Sequence, residues 1–366
     1  MVKNHCKGLI VLGFLFFSFC KLANGEDLDS VTEVKKNRLI VLPAITRSPV
    51  TKWGAGVGSS FLFKTKQSDT TIRTSNVEAL FLYTQNKQFL GVLGLNMYGP
   101  NETYILHWRN SFSYFPDRFW GLGNNTNKEA IEPYTFEQFL INPQILRRLY
   151  KEVYIGINYE FQNVFKFGYK KGGLFDKENI MGRHGGIISG LGMALAWDTR
   201  NHAFSSTKGV YFQLNIIPYR YWIGSEFNFN VISIDLRKYI SIYKGHILAF
   251  QAVGLFNNGD VPIRNLAALG GSDIMRGYYA GRYRDKDLIA AQAEYRSPML
   301  GRFGLVFFSG LGEVSNNIRH FKGNLKYSLG GGLRFSLRKN ERLNLRIDYG
   351  VGNKSSGLYF TVAEAF

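Results

Sequence analysis

The sequence predicts an all-β protein, a 16-stranded antiparallel transmembrane β-barrel. Three observations carry that expectation. Segment after segment alternates apolar and polar residues with a period of two, as a strand does when one face meets lipid and the other a lumen. Aromatic residues make up 15% of the chain and Gly 40 of its 366 residues. Beyond the first 25 positions, no apolar run reaches the roughly 20 residues that a spanning helix needs. The chain also opens like a secreted protein. A water-soluble sandwich is the plain alternative for the chain, and an ordinary half-exposed sheet for any single strand.

The opening has Lys3 and Lys7, an apolar run from Gly8 to Cys20, then Leu22-Ala23-Asn24-Gly25 with small residues at the expected cleavage point. Residues 1–25 read as a signal peptide cut before Glu26. The apolar run is too short to span a bilayer, and bulky Phe19 before Cys20 argues against a lipoprotein. Both cysteines, Cys6 and Cys20, fall in this leader, which excludes disulfides, thiolate chemistry and Cys-based metal sites from the mature chain. The net charge of +18 loses Lys3, Lys7 and Lys21 and no acid, leaving +15. The basic residues are scattered, not gathered into a stripe, which speaks against nucleic acid. They suit a lumen lined by arginines or loops facing anionic headgroups.

Residues 26–37 make a short periplasmic leader, and 38–366 the barrel. Strands are predicted at 38–45, 53–63, 72–83, 88–98, 103–114, 134–147, 152–167, 186–199, 209–221, 227–239 and 245–256. After a long polar segment come 288–296, 302–314, 326–338, 343–350 and 357–366. Alternation is cleanest late in the chain. Tyr327, Leu329, Leu333, Phe335 and Leu337 oppose Lys326, Ser328, Arg334, Ser336 and Arg338; Leu343, Leu345, Ile347 and Tyr349 oppose Asn344, Arg346 and Asp348. In 288–296, Leu288, Ala290, Gln292, Glu294 and Arg296 oppose Ile289, Ala291, Ala293 and Tyr295. A helix would scatter these side chains around its axis.

If the last strand ends in the periplasm, counting back places the long segment 260–287 outside the cell. Connections at 115–133, 170–185 and 315–324 fall on the same side, and the short turn 338–342 on the other, as bacterial barrels arrange them. Loops this long without periodicity of their own are usually functional. A weak seam is expected between 38–45 and 357–366, because Pro43 has no backbone N–H to donate and Gly357 no side chain to pack.

Inside the long segment stands Met275-Arg276-Gly277-Tyr278, followed by a strand ending Glu294-Tyr295-Arg296-Ser297-Pro298. With Trp197-Asp198-Thr199-Arg200, Lys208-Gly209 and the final strand, these residues resemble the BamA/TamA family of outer-membrane assembly barrels over most of the mature chain. The resemblance implies an extracellular loop inserted into the lumen, with Arg276 paired to Glu294. In the family a second acid lies on the next strand, in Phe-x-Asp-x-Gly-x-Val. Here Gly310 stands at that place in Phe308-Ser309-Gly310-Leu311-Gly312-Glu313-Val314, and Glu313 or Asp273 are the candidate substitutes. Tyr359, Phe360, Val362 and Phe366 resemble the terminal signal by which outer-membrane barrels are themselves assembled, with Phe366 expected at the periplasmic edge. Residues 26–37 cannot hold a polypeptide-transport-associated domain, so a barrel-only member is expected.

The resemblance implies a role in outer-membrane biogenesis or in polypeptide or lipid transport. The alternatives are a passive pore and a structural barrel. The expected partners are outer-membrane lipid, lipopolysaccharide included, and other envelope proteins. No catalytic motif is present: His107, His184, His202, His246 and His320 lack ligand spacing, and Gly121-x-Gly123 lacks a following helix. No enzyme activity, cofactor or metal is expected.

Overall fold

The computed structural model describes residues 37–65, 74–201, 205–338, 343–362 and 364–366. The signal segment expected at 1–25, residues 26–36, the start of the strand expected at Ile72, His202 and residues 339–342 lie outside the described residues, as does the side chain of Val362.

Sixteen strands form a closed barrel in which chain neighbours pair antiparallel. They are β1 (Arg38–Ser48), β2 (Lys52–Phe63), β3 (Ser75–Thr84), β4 (Phe89–Tyr98), β5 (Tyr104–Phe119), β6 (Glu132–Tyr150), β7 (Val153–Gly168), β8 (Gly186–Asp198), β9 (Gly209–Tyr219), β10 (Phe229–Tyr243) and β11 (His246–Gly259). Inside the long loop, β12 (Ala267–Leu269) and β13 (Tyr283–Asp285) pair only with each other. The barrel resumes with β14 (Asp287–Arg296), β15 (Phe303–Ser315), β16 (Lys326–Arg338), β17 (Leu343–Gly352) and β18 (Ser355–Val362). Each expected segment corresponds to one barrel strand. No helix among the described residues is long and apolar enough to cross a membrane.

The two-residue period explains the wall. On β15, Phe303, Leu305, Phe307 and Leu311 point outward, while Val306, Phe308 and Gly310 turn inward. Each large apolar side chain moved from water to hydrocarbon contributes roughly 1.5–3 kcal/mol. One charged replacement on this outward face would cost up to roughly 2–4 kcal/mol at mid-membrane. Buried polar side chains such as Gln292, Glu294, Arg334 and Asp348 follow the opposite phase.

The structure moves two expected boundaries. The connection expected at 115–133 is shorter, because β5 and β6 stay in register from Tyr104↔Arg147 to Phe119↔Glu132, through Pro116 and Pro133. Alternation continues past both prolines, and Phe119, Tyr134 and Phe136 are buried inside the barrel end where the long loops gather. Likewise β1 runs on to Ser48, with Pro43 opposite Val57 on β2. Proline removes one donor from a ladder without ending the strand.

Candidate functional site

Residues 260–286 fold back into the lumen. The β12–β13 hairpin, in register from Ala267↔Asp285 to Leu269↔Tyr283, holds the neck of this loop. Leu269, Met275, Tyr278 and Tyr283 pack with Val253, Leu255, Leu288 and Val314 of the wall. At the tip, Met275 has φ 61° and Gly277 φ 108°, left-handed backbone on either side of Arg276. The tip lies flat on β17. A Cβ at Gly350 would stand 2.7 Å from the Arg276 carbonyl carbon, so only glycine admits this approach. The Gly277 N–H donates to Tyr359 Oη at 3.0 Å, and that hydroxyl donates to the Tyr278 carbonyl at 3.0 Å. Tyr278 Oη donates to the Tyr327 carbonyl at 2.8 Å and accepts from the Asn353 N–H at 2.8 Å.

The Arg276 side chain is fully buried and fans across two strands. Nη2 meets Glu294 Oε2 of β14 at 2.6 Å, and Nη1 meets Asp348 Oδ2 of β17 at 2.5 Å. The guanidinium carbon lies 3.5 Å from the centre of the Phe308 ring. Arg296 Nε approaches Glu294 Oε1 at 2.7 Å, Arg334 Nη1 approaches Asp348 Oδ1 at 2.5 Å, and Arg346 Nε lies 3.3 Å from Asp348 Oδ2. Arg334 Nε reaches Glu364 Oε2 at 2.6 Å. Buried charges of one sign alone would be prohibitive; arginines and carboxylates interleaved with short, charge-assisted bonds offset one another. Arg276 Nε, Arg334 Nη2 and Arg346 Nε and Nη1 are nonetheless buried without a hydrogen-bond partner among the described residues.

The second acid is neither substitute expected from the sequence. Glu313 accepts the N–H groups of Lys322 and Gly323 at 3.1 Å each, in an outer turn. Asp273 Oδ1 accepts from Ser272 Oγ. Asp348 takes the place instead, from a strand two further along the wall. Its sequence signal was the alternation of β17, which puts Asp348 on the face of Asn344 and Arg346. Gly310 lacks an acid for a steric reason: a Cβ there would lie 2.9 Å from Met275 Sδ.

The last residues depart further from expectation. Tyr359 faces the lumen and anchors the loop, whereas Phe360 faces outward with its ring 6.1 Å from that of Trp53. Phe366 is not at the edge of the wall. Beyond the end of β18, Ala365 and Phe366 are buried against Tyr239 and Ala249. The physical reason lies in the alternation: Leu358 and Phe360 face outward, so a straight continuation would carry Glu364 to the lipid side. Turned inward, its carboxylate meets Arg334 and accepts from Asn344 Nδ2 at 2.9 Å.

Above the network the loops close the barrel. Asp117 accepts from Tyr134 Oη at 2.8 Å, Tyr279 Oη at 3.0 Å and Arg284 Nη2 at 3.1 Å. Arg282 Nη1 donates to Thr126 Oγ1 at 2.6 Å. Burial, and then the Asp117 carboxylate, hold the Tyr279 phenol well above its ordinary range. Burial likewise raises the Asp285 carboxyl. Gly123, singled out in the sequence, serves this lid by donating its N–H to the Arg284 carbonyl at 2.8 Å.

The barrel closes on itself thinly. Between β1 and β18 the described residues give one register pair, Arg47↔Phe360, with Thr46 Oγ1 donating to the Phe360 carbonyl at 3.4 Å. The interior pair β16–β17 instead runs from Ser328↔Gly352 to Arg338↔Leu343. On its other side β1 is fully laddered, from Arg38↔Leu62 to Ser48↔Lys52.

A family model described as "Omp85 superfamily domain" matches residues 81–366. No curated protein matches the sequence. Among solved structures, the chain is similar to BamA from Haemophilus ducreyi lacking POTRA domains 1-3, with 11% identity and a TM-score of 0.59 over 89% of this chain and 70% of that one. It is similar to CdiB from Acinetobacter baumannii, with 10% identity and a TM-score of 0.58 over 89% of this chain and 59% of the other. For CdiB from Escherichia coli the values are 10% and 0.56, over 99% of this chain and 73% of the other. At such identities the likeness is one of fold, and the fold is the BamA-type barrel expected from the sequence.

Proposed function

This chain belongs to the Omp85 superfamily, and on that premise we propose that it is an outer-membrane assembly or translocation barrel that works by parting β1 from β18. The thin seam carries this proposal. Along most of β1, from Arg38 to Thr46, the edge away from β2 has no strand partner among the described residues. A backbone group left unpaired in hydrocarbon costs several kcal/mol, so such an edge favours any strand that can pair with it. An incoming polypeptide supplies that strand. In this proposal outer-membrane lipid, lipopolysaccharide included, borders the seam, and envelope proteins are the clients or helpers. A passive pore is disfavoured by a lumen filled with residues 260–286 from one end and Glu364–Phe366 from the other.

The test is a disulfide across the one register pair, Arg47→Cys with Phe360→Cys, in a chain whose own two cysteines lie in the leader. Leu333→Cys with Ile347→Cys, opposite each other on β16 and β17, is the control. Each oxidised barrel is placed in vesicles, and insertion of a urea-unfolded outer-membrane barrel is followed by its gel shift. Seam locking should abolish any acceleration, a reductant should restore it, and the control lock should leave it intact. Undiminished insertion through the locked seam would overturn the proposal.

A further inference from the structure

We propose that the lumen end opposite the long loops holds a peptide-binding pocket, and that Glu364–Phe366 fill it as an internal ligand. Its ligand class is a short extended segment with a carboxylate side chain and, two residues on, an aromatic ring.

Two anchors define the pocket. The first is a fork for the carboxylate: Arg334 Nε donates to Glu364 Oε2 at 2.6 Å and Asn344 Nδ2 to Oε1 at 2.9 Å, with the Arg334 side chain only 2% exposed. The second holds the ring and backbone. Phe366 packs on Tyr239 and Ala249, Arg296 Nη2 donates to the Phe366 main-chain oxygen at 2.9 Å, and the guanidinium carbon lies 5.8 Å from the ring centre. Both arginines are fixed by other carboxylates, Arg334 by Asp348 and Arg296 by Glu294. The pocket is therefore built without its occupant and would keep its shape once emptied. The occupant, by contrast, lies beyond the end of β18 and has no register pair with β1 among the described residues. A ligand held by side chains of the wall, and not by the sheet ladder, is one that a second segment of the same chemistry can replace.

The experiment uses the barrel in detergent and a fluorescein-labelled hexapeptide copying residues 361–366. A barrel lacking Glu364–Phe366 should bind it saturably by anisotropy, while the intact barrel, its pocket filled, should bind about tenfold or more weakly. Exchanging the peptide's Glu for Gln should weaken binding by about tenfold, the scale of one charge-assisted hydrogen bond. Asn344→Ala in the barrel should weaken it in the same direction. If the truncated barrel does not fold, the full chain carrying Glu364→Gln and Phe366→Ala replaces it, since a weakened internal ligand must yield to the peptide. Absence of binding to the opened pocket overturns the proposal, as does equal binding to the intact barrel or of the Gln peptide. No step measures assembly or translocation, so the pocket and the seam mechanism fail separately.

Discussion

Arg276 and Asp348 are 72 residues apart in the chain and meet inside the barrel at 2.5 Å, both fully buried. Through this pair, with Glu294 on the other side, the long loop is tied to strands on both flanks of β15 and β16. Arg276→Ala would remove one charge-assisted hydrogen bond from each carboxylate, a loss of about 3 kcal/mol, while Glu294 keeps Arg296 and Asp348 keeps Arg334 and Arg346. Urea titration of the vesicle-embedded barrel should register it, together with faster proteolysis within residues 260–286. An unchanged midpoint would mean that the other arginines compensate.

Asp348→Asn should destabilise the barrel on the same scale, while Glu313→Gln should cost no more than about 1 kcal/mol, the usual size of a turn hydrogen bond. Glu313 accepts the Lys322 and Gly323 N–H groups of a turn and makes no hydrogen bond or ion pair with Arg276 among the described residues. Equal effects from the two substitutions would contradict the assignment of Asp348 as the second partner of Arg276.

Gly310→Asp puts an acid where the family pattern has one, yet it should destabilise, by about 1–3 kcal/mol, because Met275 fills the space. Adding Met275→Ala should recover part of the loss. A stabilising Gly310→Asp would show that the loop tip moves aside more readily than its packing implies.

Phe366→Ala should cost about 3 kcal/mol in the folded barrel, the loss expected for a buried ring. Phe360→Ala, at an outward-facing ring, should cost about 1 kcal/mol, near the value of one aromatic contact. Were Phe366 only an assembly signal at an edge, the folded barrel would tolerate its loss with an unchanged unfolding midpoint.

The wall was legible because each strand carries its two-residue period in its own sequence, as 326–338 and 343–350 do. The Arg276–Glu294 pairing is what the resemblance of Met275–Tyr278 and Glu294–Pro298 to the BamA/TamA family implies. Asp348 was missed because choosing it over Glu313 requires knowing which strands the loop tip crosses, a matter of three-dimensional reach. The inward placement of Glu364–Phe366 was hidden for a related reason. The terminal residues continue to alternate plausibly, and only the phase of Tyr359 against Glu364 reveals that a straight strand would carry a carboxylate into lipid. The connection expected at 115–133 is shorter because β5 and β6 stay paired through Pro116 and Pro133, and a proline at a wall's rim costs the sheet little.

The strands also differ in height. β6 spans 19 residues and β18 only 8. At about 3.3 Å per residue and a tilt near 40°, those lengths stand roughly 50 Å and 20 Å tall, against an apolar band of about 25 Å on such barrels. The barrel is therefore a lopsided cylinder, high at β5–β7 and low where it closes. A bilayer meeting it has to compress on one side only, gathering its shortest acyl chains there.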